Sequence, residues 1–177
     1  MEEEKYSIIN EKRRSIMKNV CYYRSPIGVV FKIVDDGEYV KVVDFVENPC
    51  GCCLNSLPGE LGRKVIDQLK EYFAGARKEF DLPLAPEGTQ FQKDCWDALL
   101  KIPYGEVRSY KDIAKEVGCE KGARAVGNSN NKNPIAVIIP CHRVITSQGT
   151  LGGYGGGLEA KKALLDLEGS LCSIKGV

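Results

Sequence analysis

The chain has 177 residues, 43% of them apolar, and its 25 basic and 24 acidic side chains leave a formal net charge of +1. This length suits one domain or two small ones, and the composition excludes disordered and fibrous architectures. The longest apolar run, residues 134–141, is far shorter than the roughly 18 residues of a membrane span. The first 19 residues lack the apolar stretch of a secretory signal, so a cytoplasmic protein without a membrane partner is expected.

The N-terminal third predicts a small sheet followed by a helix. Residues 22–46 are rich in Val, Ile, Phe and Tyr and are interrupted by turn formers at 25–28 and 35–37, which favours two or three strands. Apolar residues over 60–73 have helical spacing, and Gly75 is typical of a helix end.

A linker divides the sequence. Residues 81–88 contain two prolines and a glycine, which indicates an extended segment. We place a domain boundary there and expect a polar leader at 1–19, an N-terminal α/β domain at 20–86 and a second domain at 87–177.

The second part begins with three predicted helices. Thr89 is a suitable N-cap for a helix that stops before Pro103. Shorter helices follow at 110–117 and 121–130, separated by Gly118, with the lengths of a helix-turn-helix. Two short helices around a glycine also occur in proteins that bind no DNA.

The remaining elements are a strand, a loop and a last helix. Composition predicts a buried strand over 135–139, a glycine-rich loop over 149–157 and a helix over 158–167. Residues 108–143 carry a local net charge of +4. That charge suits a face that meets phosphates, although a solvated helix surface would look the same.

Cysteine and histidine usage restricts the chemistry. Without an export signal, the eight cysteines are expected to be thiols. The single histidine, His142, excludes zinc sites that need two histidines, and the sequence has neither a P-loop nor a GxSxG motif. Cys50, Cys52 and Cys53 form a CxxC pair with one extra thiol. We favour reduced loop cysteines; a disulfide, or a zinc site with a fourth ligand such as Cys21, is the alternative.

One segment brings a thiol, an imidazole and a guanidinium together. Cys141 follows an apolar run and Pro140, and it is flanked by His142 and Arg143. Nearby positive charge or a neighbouring base favours the reactive thiolate. The spacing does not fit a tyrosine phosphatase, because the position that needs arginine is Ser147. It does not fit papain-like or caspase-like proteases, whose histidine is distant from the cysteine. A core cysteine beside a surface histidine is the structural alternative.

An ordered set of motifs resembles the 6-O-alkylguanine-DNA alkyltransferases, also called methylated-DNA-protein-cysteine methyltransferases. The resemblance spans about residues 20–170, and PCHRV is its most specific part. The motifs are YRSPIG at 23–28, YFAG at 72–75, GTQFQ at 88–92, IPYGE at 102–106, SY at 109–110, ARAVG at 123–127, NP at 133–134, PCHRV at 140–144, GYGGGL at 153–158 and LLDLEG at 164–169.

The resemblance implies roles at the reactive segment. Cys141 would accept the alkyl group as a stable thioether, and His142 would take the thiol proton through a water. Glu168 would orient that histidine, and Asn133 would hold the segment before the nucleophile. An imidazole acts as a base near neutral pH, and a carboxylate partner fixes its tautomer. The resemblance implies no metal and no cofactor.

The resemblance also implies how DNA would be bound. Tyr110 would help to rotate the damaged nucleotide out of the duplex, and Arg124 would fill the vacated space. The small residues Ala123, Ala125 and Gly127 would let their helix approach the minor groove closely. The alternatives without base extrusion are a packing role for Tyr110 and a solvated or phosphate-binding role for Arg124.

The base pocket is implied in the same way. Backbone carbonyls of Cys141 and Val144 would recognise the exocyclic amine of guanine, and Tyr154 would form a wall. Some relatives have serine at the position of Gly155, so one hydroxyl contact is missing here.

The resemblance implies an α/β fold with a small ribonuclease-H-like N-terminal domain and a helical, winged-helix-like C-terminal domain with a helix-turn-helix. The implied activity is direct, stoichiometric and irreversible transfer of the alkyl group from 6-O-alkylguanine, and from 4-O-alkylthymine, to the protein's own cysteine. The expected partner is double-stranded DNA with alkylated guanine, bound by a monomer. Two alternative functions are an alkyltransferase-like protein that marks lesions and a redox-sensing regulator. Cys141 argues against the first, because alkyltransferase-like proteins lack the acceptor cysteine.

Overall fold

The computed structural model describes residues 18–47 and 57–176. Most of the leader at 1–19, together with Cys50, Cys52 and Cys53, lies outside the described residues. Over the part that is described, no helix is long and apolar enough to cross a membrane.

The N-terminal part is a three-stranded antiparallel sheet with one helix packed against it. The sheet order is β1-β2-β3, and a β-bulge interrupts the register near Asp35. The predicted strands and helix are confirmed. Their bounds are Asn19–Arg24 for β1, Val30–Asp35 for β2, Val40–Val46 for β3 and Glu60–Phe73 for α1.

Helix α1 is amphipathic and turns its apolar face to the sheet. Val65, Leu69 and Tyr72 lie on one face at i, i+4 and i+7, and all three are fully buried. The helix stops where Gly75 takes a positive φ of 73°, a conformation that glycine adopts at no steric cost.

Two capping boxes start the helices of the second part. Helix α2, Gln90–Leu100, is capped by Thr89 with Gln92, as the sequence predicts for Thr89. Helix α3, Tyr110–Glu116, is capped by Ser109 with Asp112. Strand β4, Arg108–Ser109, leads into it.

Helix α4, Ala123–Asn131, begins two residues later than predicted. The chain first makes a tight turn in which the Gly122 N–H donates to the Cys119 carbonyl at 2.7 Å. A Cβ on Gly122 would lie 2.5 Å from the Cys119 sulfur, so glycine is needed there. The Trp96 indole donates to the Ser129 carbonyl at 3.0 Å and joins α2 to α4.

The prediction of a strand over 135–139 is wrong. The segment is buried as expected, but it folds into a tight turn whose ends form isolated bridges, Val43 with Ile135 and Ala136 with Ile139. Val137 at its centre has φ 72°, a conformation that costs a β-branched residue about 1–3 kcal/mol. Its side chain is fully buried, and this burial offsets the strain.

The C-terminal part surrounds this turn. A short 3-10 turn at Cys141–Arg143 follows it, and strand β5, Val144–Ile145, pairs in parallel with β4. The glycine-rich loop and the last helix are confirmed, with α5 at Leu158–Leu167. A second 3-10 turn lies at Leu171–Ser173.

Strand β3 joins the two parts of the chain. The Val43 N–H donates to the Pro134 carbonyl at 2.8 Å, and the Ala136 N–H donates to the Val43 carbonyl at 2.7 Å. Val40 makes a similar pair of hydrogen bonds with the linker, at Pro83 and Ala85. The apolar core is therefore continuous from the sheet to the turn before Cys141.

Candidate active site and DNA-facing surface

Cys141 opens the 3-10 turn and is almost completely buried, with 7% of its surface exposed. Asn133 holds it in place. The Asn133 amide Nδ2 donates to the Ile139 carbonyl at 2.9 Å and to the Cys141 sulfur at 3.2 Å, while Oδ1 accepts from the Ile135 N–H at 3.0 Å. One amide therefore clamps both ends of the strained turn and touches the thiol.

The thiol is protonated at rest. Burial raises the pKa of Cys141, and the hydrogen bond from Asn133 and the charge of Lys161 only partly oppose this. Since the thiolate is the nucleophilic form, Cys141 needs a base that takes its proton.

His142 directly follows Cys141 in the 3-10 turn, and an imidazole can accept a proton near neutral pH. Its ring is fully buried, and Nε2 lies 2.9 Å from Glu168 Oε1. We assign the Nε2–H tautomer, because a carboxylate accepts this proton and leaves Nδ1 as an acceptor. Nδ1 is buried and has no hydrogen-bond partner among the residues that the structure describes. Burial lowers the pKa of His142 despite the opposing effect of Glu168, so the ring is a neutral base.

Glu168 lies at the centre of a buried hydrogen-bond network. Its oxygen Oε1 accepts from His142, from Tyr72 Oη at 2.6 Å and from Arg143 Nη2 at 2.9 Å. Its oxygen Oε2 accepts from Arg143 Nε at 2.8 Å and from the Gly105 N–H at 3.3 Å. Burial opposes ionisation, but the hydrogen bonds from His142 and Arg143, together with the charge of Arg143, hold the pKa of Glu168 well below its usual range.

Two residues of this site were missed by the sequence analysis. Tyr72 belongs to a quoted motif, but no role was assigned to it. Lys161 was not singled out at all, since lysine on a predicted helix is usually solvated. Neither residue could be found from a local sequence pattern. The partner of Tyr72, Glu168, is distant in sequence, and the partners of Lys161 are backbone carbonyls.

Lys161 is fully buried and fastens the glycine-rich loop to the reactive segment. Its ammonium donates to the carbonyls of Val144 at 2.6 Å, of Leu151, and of Gly153 at 3.5 Å. Burial lowers the pKa of Lys161 to about 8, and the nearby Cys141 acts in the opposite direction. The Val144 carbonyl keeps one lone pair for another donor.

Tyr154 and Gly155 lie in the loop that Lys161 fastens. The Tyr154 ring is 6.5 Å from that of His142 and meets Phe45 edge-on at 5.5 Å, and its hydroxyl is buried without a partner in the described structure. Gly155 is exposed and lines, with Phe45 and the ends of β2 and β3, a cavity of about 670 Å³. A Cβ on Gly156 would lie 2.6 Å from the Phe45 ring, so the loop approaches the sheet closely.

Tyr110 lies between the thiol site and α4. A Cβ on Gly152 would lie 3.1 Å from its ring, and one on Gly127 would lie 3.8 Å away, so two glycines flank the ring. The Tyr110 hydroxyl approaches the Gly153 carbonyl at 3.4 Å. Burial and the neighbouring Cys141 raise the pKa of Tyr110.

Helix α4 presents small residues and one cation to solvent. Arg124 and Ala125 are exposed, Ala123 and Gly127 are half-buried, and Val126 points into the core. The structure thus brings together Cys141, His142, Asn133 and Glu168. The α4 residues form a separate exposed surface that Tyr110 connects to the thiol. No cluster of three or more potential metal-ligating side chains occurs within 18–47 and 57–176.

Comparison with known proteins identifies relatives of this chain. Residues 90–170 match the family model described as 6-O-methylguanine DNA methyltransferase, DNA binding domain. A methylated-DNA-protein-cysteine methyltransferase of Methanosarcina acetivorans is 50% identical over 154 residues, which are 84% of this chain and 96% of the relative. The chain belongs to the methylated-DNA-protein-cysteine methyltransferase family.

Solved structures of this family have the same fold. The O6-methylguanine methyltransferase of Mycobacterium tuberculosis is 42% identical, with a TM-score of 0.76 over 91% of this chain and 97% of that one. The OGT of the same organism, solved in complex with DNA, is 43% identical, with a TM-score of 0.77 over 89% of this chain and 95% of that one.

Proposed function

We propose that this methyltransferase repairs DNA by transferring the alkyl group of 6-O-alkylguanine, and of 4-O-alkylthymine, irreversibly to Cys141. The observation that carries this proposal is the side-by-side burial of a thiol held by Asn133 and a neutral imidazole held by Glu168. Family membership supports the reaction class, and the geometry supports the roles of the residues.

The reaction is a displacement at an sp3 carbon. The Cys141 proton passes through a water to Nδ1 of His142, whose Nε2–H is anchored on Glu168. The thiolate attacks the carbon bonded to guanine O6, a C–S bond forms, and the C–O bond breaks with its electron pair on the base. The guanine anion then takes up the proton that the thiol gave to His142, so the base leaves neutral and the imidazole returns to its neutral form. Nothing in this site hydrolyses a thioether, so each chain acts once.

The damaged base must leave the duplex, because a stacked base cannot reach a buried thiol, and this extrusion costs a few kcal/mol. Helix α4 enters the minor groove through Ala123, Ala125 and Gly127. Arg124 fills the gap in the base stack, and Tyr110 crowds the nucleotide so that it rotates outward. The exposed position of Arg124 and the place of Tyr110 beside the pocket loop support these roles.

The extruded base lies against the glycine-rich loop. The carbonyls of Cys141 and Val144 accept from its exocyclic amine, and Tyr154 forms a wall. The backbone N–H of Gly155 is the remaining donor where some relatives add a hydroxyl.

The finer architecture also belongs to this proposal. The three-stranded sheet with α1 supports a ribonuclease-H-like domain at 20–86, and α3 and α4 support a helix-turn-helix within a winged-helix-like domain at 87–177. The protein acts as a monomer on double-stranded DNA.

The test is intact mass after incubation with a duplex that contains 6-O-methylguanine. We expect a gain of one methyl group on the peptide with Cys141 and a plateau at one equivalent. Cys141→Ala should show no gain and should still bind the duplex, because its DNA contacts lie on α4. The matched control is Cys172→Ala, since Cys172 is an exposed thiol outside the site.

Continued turnover, or transfer by Cys141→Ala, would contradict the acceptor role. Lesion binding without any mass gain in the wild type would indicate a lesion-marking protein. Oxidation-dependent binding of undamaged DNA would indicate a redox regulator.

A further inference from the structure

We propose that Tyr72, from the N-terminal part of the chain, is a positioning residue for alkyl transfer that holds the Glu168 carboxylate for His142. The inference rests on the proposed function, and it assigns a part of the reaction to a residue outside the reactive segment. Tyr72 touches neither the thiol nor the base, so its effect passes through Glu168.

The geometry of the carboxylate carries the inference. Tyr72 Oη lies 2.6 Å from Glu168 Oε1, the same oxygen that faces His142 Nε2 at 2.9 Å. Arg143 and the Gly105 N–H occupy the other positions, which makes five donors for two oxygens. A carboxylate offers about four lone-pair sites, so this one is saturated and cannot rotate. Tyr72 and His142 therefore share one oxygen.

The tyrosine ring is fixed by packing. It is fully buried and lies 5.3 Å from Phe73, 5.4 Å from Phe80 and 6.1 Å from Tyr104, measured between ring centroids. These neighbours come from α1, from the linker region and from the segment after α2. The hydroxyl cannot swing away from Glu168 without opening this aromatic cluster.

Electrostatics fix the direction of the hydrogen bond. Burial, and then the Glu168 charge, raise the pKa of Tyr72 far above its ordinary value, so the phenol stays a neutral donor. By donating to Oε1 it reduces the negative charge available to His142 and keeps the imidazole a weak, neutral base. The other ionisable groups near Tyr72 and Glu168 are Arg143, Tyr104 and Tyr154, and Lys161 acts on His142.

The chain provides a matched control for this role. Tyr104 belongs to the same aromatic cluster, but its hydroxyl donates to the Leu167 carbonyl at 2.9 Å and not to the carboxylate. Tyr72→Phe and Tyr104→Phe each remove one hydroxyl from neighbouring rings. Only the first removes a donor from Glu168.

The experiment measures methyl transfer to a 6-O-methylguanine duplex between pH 5 and 9, together with nitrogen-15 NMR of the imidazole. The protein has one histidine, so the ring signals belong to His142. For Tyr72→Phe we expect transfer to slow about tenfold, the lower end of the losses seen when a partner that orients a metal-bound histidine is removed. The pKa of His142, and the pH below which the transfer rate falls, should both rise by about half a pH unit. The reason is that Glu168 Oε1 then carries its full negative charge, which favours the imidazolium. Tyr104→Phe should stay within about twofold and titrate like the wild type.

An unchanged His142 titration and transfer rate in Tyr72→Phe would overturn the proposal, and so would equal losses in both variants without a shift. If Tyr72→Phe fails to fold, Tyr72→Met is measured in its place, because Met also fills a buried site and also lacks the donor. An unshifted His142 titration in that variant likewise contradicts a donor that weakens the basicity of the imidazole. Absence of transfer by the wild type would refute the proposed function, whereas the NMR comparison still tests Tyr72.

Discussion

Two regions of the molecule differ in how their polar groups are satisfied. Around Glu168 the protein supplies the hydrogen bonds, whereas the face of α4 is exposed to solvent. The network has 0% side-chain exposure at both His142 and Glu168, and the protein itself supplies the donors to the carboxylate. On α4, Arg124 and Ala125 are exposed. The Glu168 carboxylate has all its donors in the isolated protein, whereas the α4 surface is suited to a partner. Substitutions around Glu168 should therefore slow alkyl transfer from every substrate. Substitutions on α4 should slow transfer only from bases embedded in DNA.

The largest effect is expected for Glu168→Gln. The amide cannot replace the charge that the buried Arg143 and His142 face, and breaking such a buried pair costs about 3–5 kcal/mol. Loss of the histidine's carboxylate partner should slow transfer about a thousandfold or more. Chemical denaturation and transfer to a duplex and to a free 6-O-alkylguanine base check this, with equal losses expected on both substrates.

The control for that change is Glu159→Gln, a 91% exposed carboxylate in the first turn of α5, the helix that Glu168 caps. Its stability and transfer rate should match the wild type. The pH dependence adds a second check. Because the pKa of Glu168 is lowered in the folded state, its stabilisation is present above its ordinary value of 4.5 and is lost as the pH falls. A Gln variant as stable as the wild type at pH 7 would refute the importance of the network.

A smaller and more selective effect is expected for Arg124→Ala. Without the guanidinium the extruded base returns to the stack, and a penalty of a few kcal/mol corresponds to about a hundredfold slower repair in a duplex. Transfer from the free base, which needs no extrusion, should stay within about twofold. Single-turnover kinetics on the two substrates measure this ratio. Lys64→Ala, on α1, is the control, since Lys64 is an exposed cation that pairs with Asp81. Equal losses on both substrates would place Arg124 in the pocket or the fold.

The smallest effect is expected from titration of Lys161. Its pKa is lowered to about 8, so the ammonium loses a proton above that pH, and one of the carbonyls of Val144, Leu151 and Gly153 then faces a lone pair. We expect transfer to the free base to fall severalfold between pH 8 and 10. The control is Lys162→Met, because Lys162 is a half-buried neighbour whose ammonium pairs with Glu159. This variant should show the same fall in rate between pH 8 and 10 as the wild type. A rate that still climbs at pH 10 would show that the Lys161 charge does not matter.

Sequence patterns predicted the local structure well where the cause was local. The capping residue Thr89, the break at Gly118 and the helix over 158–167 all depend on neighbours within a few residues. The grouping of Cys141, His142, Asn133 and Glu168 was predicted from the family resemblance, and the structure places these residues in contact. Their chemical roles stay predictions.

The missed features have causes that no local pattern contains. An apolar run over 135–139 is compatible with a strand, and only the packing of Val137 and the clamp by Asn133 make it a turn. Tyr72 on an amphipathic helix looks like an ordinary core aromatic. Its hydroxyl meets Glu168, 96 positions further along the sequence, only after the chain has folded.

The two hydrogen bonds that join Val43 to the segment at 134–136 affect how the molecule unfolds. Since the edge strand β3 and the turn before Cys141 share these bonds, we expect the two parts to open together. The amide protons of Val43 and Ala136 should exchange with solvent only through global opening. The turn before Cys141 should therefore open as rarely as the interior of a sheet, although it is not a strand.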